Sequence, residues 1–320
     1  MSKIALIMPY FGCLPNYFDL WILSAKYNKT IDWYIFTDIK ELKNYPENVK
    51  VIFMTFDEVK KRCQDICNFT VCLDEYYKLC DYKPAYGLVF ADYITDYDFW
   101  GHCDPDIIWG DLRKFLTKEI LNENDRIFTF GHLSLYRNNE RINNLFKYSK
   151  KDIFNNKCIC TYEDAFTTPY SCHFDEWGGI SKYLELIGMK QYDGREFADI
   201  DATRFAFYYN EINNKYGAVF SWNKGKLEAH FICNGKFGSK EYAYIHLQKR
   251  SMDVCLKDMD EESFLIVPNK FIKYSKPMKE DIEKYGKDKI YFEWYSKRGR
   301  MILENIKKGA IQRRLRKILK

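Results

Sequence analysis

The run Lys3-Ile4-Ala5-Leu6-Ile7-Met8-Pro9 constrains the fold most. Five apolar residues follow one another with no polar residue at alternate positions, so the segment reads as a buried strand that Pro9 stops. A strand of that kind sits inside a sheet covered on both faces. The next segments fit. Pro9-Tyr10-Phe11-Gly12 reads as a loop and 17–25 as a helix. Residues 32–38 form a second expected strand ending in the polar pair Thr37-Asp38, and 49–56 a third, with Asp57 capping the helix after it. Strand, helix, strand, strand, helix opens an α/β sheet with parallel neighbours.

Further on, Asp81-Tyr82-Lys83-Pro84-Ala85-Tyr86-Gly87 leads into an apolar segment expected to be helical as far as Ile94. Short strands are expected at 97–100 and 126–130, a polar helix over 138–156, turns over 173–180, and late strands at 219–222, 227–232 and 242–247. No repeat or low-complexity linker interrupts this pattern, so 1–296 reads as one domain and 297–320 as an appended tail. The eleven cysteines are scattered and odd in number, which suits reduced, small apolar side chains. Cys158, Cys160, Cys172 and His173 fit no standard zinc spacing. No apolar run approaches the roughly 20 residues needed to span a bilayer, and a cytoplasmic location is expected.

Charge is unevenly spread. From Lys297 to Lys320 there are ten basic residues and one acid, Glu304, a net of +9 against +5 for the whole chain, which leaves the body near −4. A mildly acidic body excludes a nucleic-acid groove there and points to an anionic partner for the tail.

Phe99-Trp100-Gly101-His102-Cys103-Asp104-Pro105-Asp106-Ile107-Ile108-Trp109 places two acids in an apolar run. In an extended chain, residues i and i+2 project to the same side about 6–7 Å apart, and Pro105 stiffens the pair. Two carboxylates so placed repel unless a divalent cation joins them, and hard oxygen ligands suit Mg2+ or Mn2+. Such a cation can hold phosphate oxygens and neutralise a departing diphosphate.

Taken in order, the first strand and loop, Tyr34-Ile35-Phe36-Thr37-Asp38, the D-x-D after an apolar strand, DYKPAYG, FDEWGG and the late AYIHLQKR resemble a bacterial family of polysaccharide-assembly glycosyltransferases, formerly a domain of unknown function, with the GT-A fold. The resemblance covers about Lys3 to Arg250. It implies a Rossmann-like, mostly parallel sheet flanked by helices, and a metal-dependent transfer of a hexose of galactose type from a UDP-sugar to a lipid-linked oligosaccharide in capsule or surface-polysaccharide assembly. Asp104 and Asp106 match the metal-binding D-x-D, and His246 a late histidine that completes the metal site. Pro9, Tyr10, Thr37 and Asp38 match positions around the base and ribose. Lys83 and Tyr86 lie in a segment near the donor, and Lys249 and Arg250 near the pyrophosphate. The residue chemistry agrees, since a neutral imidazole suits Mn2+ and a nearby lysine can counter a diphosphate.

His173-Phe174-Asp175-Glu176-Trp177-Gly178-Gly179 supplies two candidate bases, Asp175 and then Glu176. Trp177 offers a stacking face for a sugar and Gly178 a close backbone approach. His132 is placed on the acceptor side. The pair Asp199/Asp201 resembles a second D-x-D, but Phe205 and Phe207 favour a helix with an acidic first turn, a structural role. Inversion is expected, and retention is compatible with the same residues.

In the tail, apolar residues recur at helical spacing from Ile311, with Arg313, Arg314, Arg316 and Lys317 between them. A basic amphipathic helix of this kind would hold the enzyme on the inner face of the cell membrane. Two other classes fit less well. A nucleotidyl- or phosphotransferase would need a phosphate-cradling glycine loop that the sequence lacks. A non-catalytic membrane-surface binding protein would leave the acids idle.

Overall fold

The computed structural model describes residues 1–40, 44–176, 178–209, 215–258 and 261–307. Its central sheet has seven strands, numbered here along the whole chain. β1 (Ile4–Pro9) lies between β2 (Ile31–Thr37) and β4 (Phe99–Cys103), and β3 (Val49–Phe53) pairs outside β2, all four parallel. Beyond β4 come β7 (Leu133–Arg137), β6 (Arg126–Phe130) and β8 (Gln191–Tyr192). β7 is antiparallel to both its neighbours, and β8 is parallel to β6. The result is a mixed α/β protein with a largely parallel sheet flanked by helices.

The unbroken apolar run of β1 follows from this. Ala5 and Ile7 pack into one apolar cluster with Phe36, Trp100 and residues Val59 and Cys63 of helix α2 (Phe56–Asp65). Ile4, Leu6 and Met8 pack into another with Trp33 and residues Trp21 and Ala25 of helix α1 (Phe18–Lys26). With apolar layers on both faces, no position of β1 is free to be polar.

The chain runs from β1 outward to β2 and β3, then returns to place β4 on the other side of β1. Such a reversal opens a crevice at the carboxyl ends of the two central strands. Those ends carry Pro9-Tyr10 and Asp104. A three-stranded sheet closes the crevice from the side: β13 (Tyr244–His246) is antiparallel to β5 (Ile107–Trp109) and parallel to β9 (Phe197–Asp199). A six-stranded sheet, β12 (Lys236–Glu241), β11 (Lys226–Cys233), β10 (Val219–Asn223), β15 (Ser263–Val267), β16 (Lys270–Lys273) and β14 (Asp253–Cys255), supports it. Phe220, Trp222 and Phe264 of that sheet share an apolar cluster with Ile108, Ala198 and Ile245.

Several expectations are corrected. The third strand stops at Phe53, and Thr55, not Asp57, caps α2 through a reciprocal box with Glu58. The stretch after Asp81 is a chain of short turns, Leu79–Tyr82, Lys83–Ala85 and Tyr86–Val89, rather than one helix. Pro84 interrupts it, and Gly87 sits where a Cβ would come within 2.4 Å of the Trp100 ring. Over 138–156 only Glu140–Asn143 and a 3-10 turn at Leu145–Lys147 are helical. Asn138 there donates to the carbonyls of Ile94 and Tyr97, and Asn139 caps, so the helix starts only at Glu140. The helix expected just after Asp199 is absent from residues 200–209, which form turns and isolated bridges.

A last helix runs Phe292–Lys307, and the expected amphipathic segment from Ile311 lies outside the described residues. Among the described residues no helix is long and apolar enough to cross a membrane.

Candidate functional site

A cleft of 1590 Å3 opens at the carboxyl ends of β1 and β4. Asp104 and Asp106 line it, but not as an extended pair. They flank a turn at Pro105 between β4 and β5, and the turn makes their carboxylates converge. One ligand atom each from Asp104, Asp106 and His246 lie within 4.8 Å of one another. Asp106 is 1% exposed. Its Oδ2 accepts the Lys249 backbone N–H at 2.5 Å, while Oδ1 lies 3.4 Å from His246 Nε2 and has no hydrogen-bond partner. A buried carboxylate oxygen without a donor costs free energy unless a cation or ligand meets it. Two carboxylates and an imidazole are the donor set expected for Mn2+ or Mg2+ with open positions, so the residues fit a divalent cation.

The pairing of β13 with β9 sets His246 beside Asp199. Asp199 Oδ1 lies 2.8 Å from His246 Nδ1 and accepts Gln248 Nε2 at 2.5 Å. Burial disfavours charge on His246, but Asp106 and Asp199 outweigh it and raise the ring to about 10. Burial likewise opposes the Asp106 charge, and His246 with the Lys249 N–H overcomes it, holding the carboxyl well below its usual range. His132 lines the same cleft and stands beside His246. Its ring centroid is 4.4 Å from that of His246, its Nδ1 meets the Tyr244 hydroxyl at 3.2 Å, and burial, with His246 reinforcing it, lowers it to about 3. His132, Asp199 and His246 make a second group with metal-ligating spacing.

Lys83 joins Asp104 to Asp175. Its Nζ donates to Asp104 Oδ1 and to the Gly131 carbonyl, both at 2.7 Å, and lies 3.7 Å from Asp175 Oδ2. Burial works against its charge, but Asp104 and Asp175 hold it protonated. Asp175 is 3% exposed, and burial pushes it up to about 7 against the pull of Lys83, with Glu176 and Asp104 adding to the rise. Glu176 lines the cleft beside it. A Cβ at Gly131 would stand 2.4 Å from Glu176 Oε1 and 3.0 Å from Asp175 Oδ2, so glycine there lets both acids approach the end of β6. A β-bulge between Ile127 and Phe130, with Phe128 at φ 54°, aims that end into the cleft.

Sequence reasoning missed what holds Asp175 in place. Asp81, fully buried, accepts the backbone N–H groups of Cys172 and Phe174 and pairs with Lys78 at 2.6 Å. Lys78 also donates to the Ala165 and Tyr170 carbonyls, so the segment just before Asp175 is pinned from both sides. Asp81 opens the DYKPAYG segment, which was the available signal.

The remaining expected residues divide. Pro9, Tyr10, Tyr86 and Lys249 line the cleft, and Lys249 Nζ stands 4.7 Å over the Tyr77 ring. Thr37 and Asp38, at the end of β2, and Gly178, whose carbonyl accepts from the Cys160 N–H, are not among its lining residues. Trp177 lies outside the described residues. Arg250 edges the cleft, but its guanidinium donates to the carbonyls of Asp201, Arg204 and Phe205 and to Asn269 Oδ1. It lies over the rings of Phe207 and Tyr291. A guanidinium with those bonds braces the loop after β9.

A doubly layered α/β sheet with an acid- and histidine-lined crevice at its switch point defines the class. The chain belongs to a family described as a family of unknown function (DUF6625), whose model matches residues 6–275. No curated protein matches it. Among solved structures, a galactosyltransferase LgtC in complex with donor and acceptor sugar analogs is similar at a TM-score of 0.33 and 12% identity, over 61% of this chain and 75% of that one. At that distance the reading of the site rests on its own residues.

Proposed function

We propose that this protein is a metal-dependent glycosyltransferase of GT-A type that moves a hexose from a UDP-sugar to a lipid-linked saccharide. The observation that carries the reading is the convergence of Asp104, Asp106 and His246 around the buried Asp106 Oδ1, which no hydrogen bond meets, in one cleft with Asp175. Mn2+ or Mg2+ held by those three residues would neutralise charge on the departing diphosphate.

The protein's own groups do the rest. Asp175, buried and near neutral in its proton affinity, accepts the proton of the attacking acceptor hydroxyl as the new C1–O bond forms and the C1–O bond to UDP breaks. Lys83 fixes the spacing between Asp175 and Asp104. Lys249 presents an ammonium to the diphosphate, with Tyr76 and Tyr77 forming an exposed aromatic lip for a flat ring. The basic stretch 297–320, preceded by the exposed Phe292 and Tyr295, would hold the enzyme on an anionic leaflet, where a lipid-linked acceptor is found.

A thermal-shift series with UDP, Mn2+ and both together tests the reading. A rise in Tm that needs both, followed by hydrolysis of one UDP-sugar from a panel, is the expected result. No shift with both present and no donor hydrolysed refutes it.

A further inference from the structure

We infer that Asp199 is a positioning carboxylate that orients His246 toward the metal position, an inference that rests on reading Asp104, Asp106 and His246 as the ligand set. Asp199 and His246 stand directly opposite in the parallel pairing of β9 and β13, so backbone register fixes their contact. The contact uses His246 Nδ1, at 2.8 Å from Asp199 Oδ1. An imidazole whose Nδ1 donates to a carboxylate has its lone pair on Nε2 when neutral. Here Nε2 points to Asp106 Oδ1, the buried oxygen that lacks a donor.

The turn after β13 supports the arrangement from both sides. Gln248 and Lys249 both adopt left-handed backbone, φ 54° and 55°, which side chains other than glycine rarely take. That turn sends the Gln248 amide to Asp199 and the Lys249 N–H to Asp106. Each acid flanking the imidazole is therefore anchored by the residues that follow it. Strain kept at two successive positions, with one donor delivered to each acid, marks a site that must hold its shape. Asp199 Oδ1 already takes two donors, which fits a role in aiming the ring rather than in ligation.

The test is Mn2+ affinity of the full chain, read from the electron paramagnetic resonance signal of free Mn2+, with no dependence on turnover. Wild type is compared with Asp199→Ala and Asp199→Asn. Asp199→Ala is expected to weaken Mn2+ binding by about 10- to 100-fold. Asp199→Asn keeps an oxygen that accepts from Nδ1 and is expected to recover most of the loss. It also keeps the side-chain shape, so if the alanine variant does not fold, an asparagine variant about 10-fold or more weaker than wild type overturns the inference. Asp199→Ala binding within twofold of wild type overturns the inference, and so does an asparagine variant as weak as the alanine one. Absence of saturable Mn2+ binding by wild type overturns the ligand-set reading itself, and this inference with it.

Discussion

Replacing Asp175 with asparagine should make the protein more stable and inactive at once. In the native state burial pushes the Asp175 carboxyl up to about 7, against the ordinary aspartate value of 3.8 in the unfolded chain. The difference is roughly three units, at 1.36 kcal/mol each, or about 4 kcal/mol. The sign follows from linkage. Between pH 4 and 7 the native state keeps a proton that the unfolded state has lost, so unfolding becomes easier as pH rises through that window. Above pH 7 both states are ionised and the penalty is constant. Asparagine has nothing to ionise and leaves Lys83 its bonds to Asp104 and the Gly131 carbonyl. Urea unfolding of the metal-free chain at pH 4.5 and pH 8 should therefore give variant and wild type nearly equal stability at the lower pH. At the higher pH the variant should gain up to about 4 kcal/mol, a large part of a typical total of about 5–15 kcal/mol. Turnover should fall by about 100- to 10,000-fold, the usual contribution of a general base. A stability difference independent of pH, or a variant weaker than wild type at pH 8, would refute the account of Asp175 as a carboxylate kept against its own solvation.

Asp106→Ala should abolish Mn2+ binding and turnover while circular dichroism stays native; near-normal turnover removes the metal role. Arg250→Ala should lower stability by about 3 kcal/mol or more in urea titration, because several buried carbonyls lose a charged donor. Lys249→Ala should leave stability within about 0.5 kcal/mol and weaken UDP binding by calorimetry. Removing residues 297–320 should release the protein from anionic vesicles in a sedimentation assay while UDP binding persists.

The parts of this molecule that were legible in the sequence are those whose cause is local. β1, α1 and β2 could be read because continuous apolar runs and helical spacing act within a few residues. Asp104 and Asp106 stood out because charge in an apolar run is anomalous wherever it ends up. Asp199 stood out only as half of a D-x-D-like pair with Asp201, since its contact with His246, 47 residues away across a parallel register, leaves no local trace. The nearby phenylalanines suggested a helix that does not form. The bracing bonds of Arg250 were illegible for the same reason: three of its acceptors are backbone carbonyls, which look the same in every sequence. The polar helix expected from 138 starts only at Glu140 because Asn138 binds the carbonyls of Ile94 and Tyr97, acceptors that only the fold brings near.

β13 has a consequence for how the molecule is made. It arrives late in synthesis yet occupies the middle of its sheet, between strands more than 130 and 40 residues earlier. Until it docks, β5 and β9 have no common neighbour, and Asp106 has neither the histidine nor the amide that steady its charge. On the proposed ligand set, nascent or partly folded chains should thus be poor scavengers of divalent ions, with uptake only after β13 has docked.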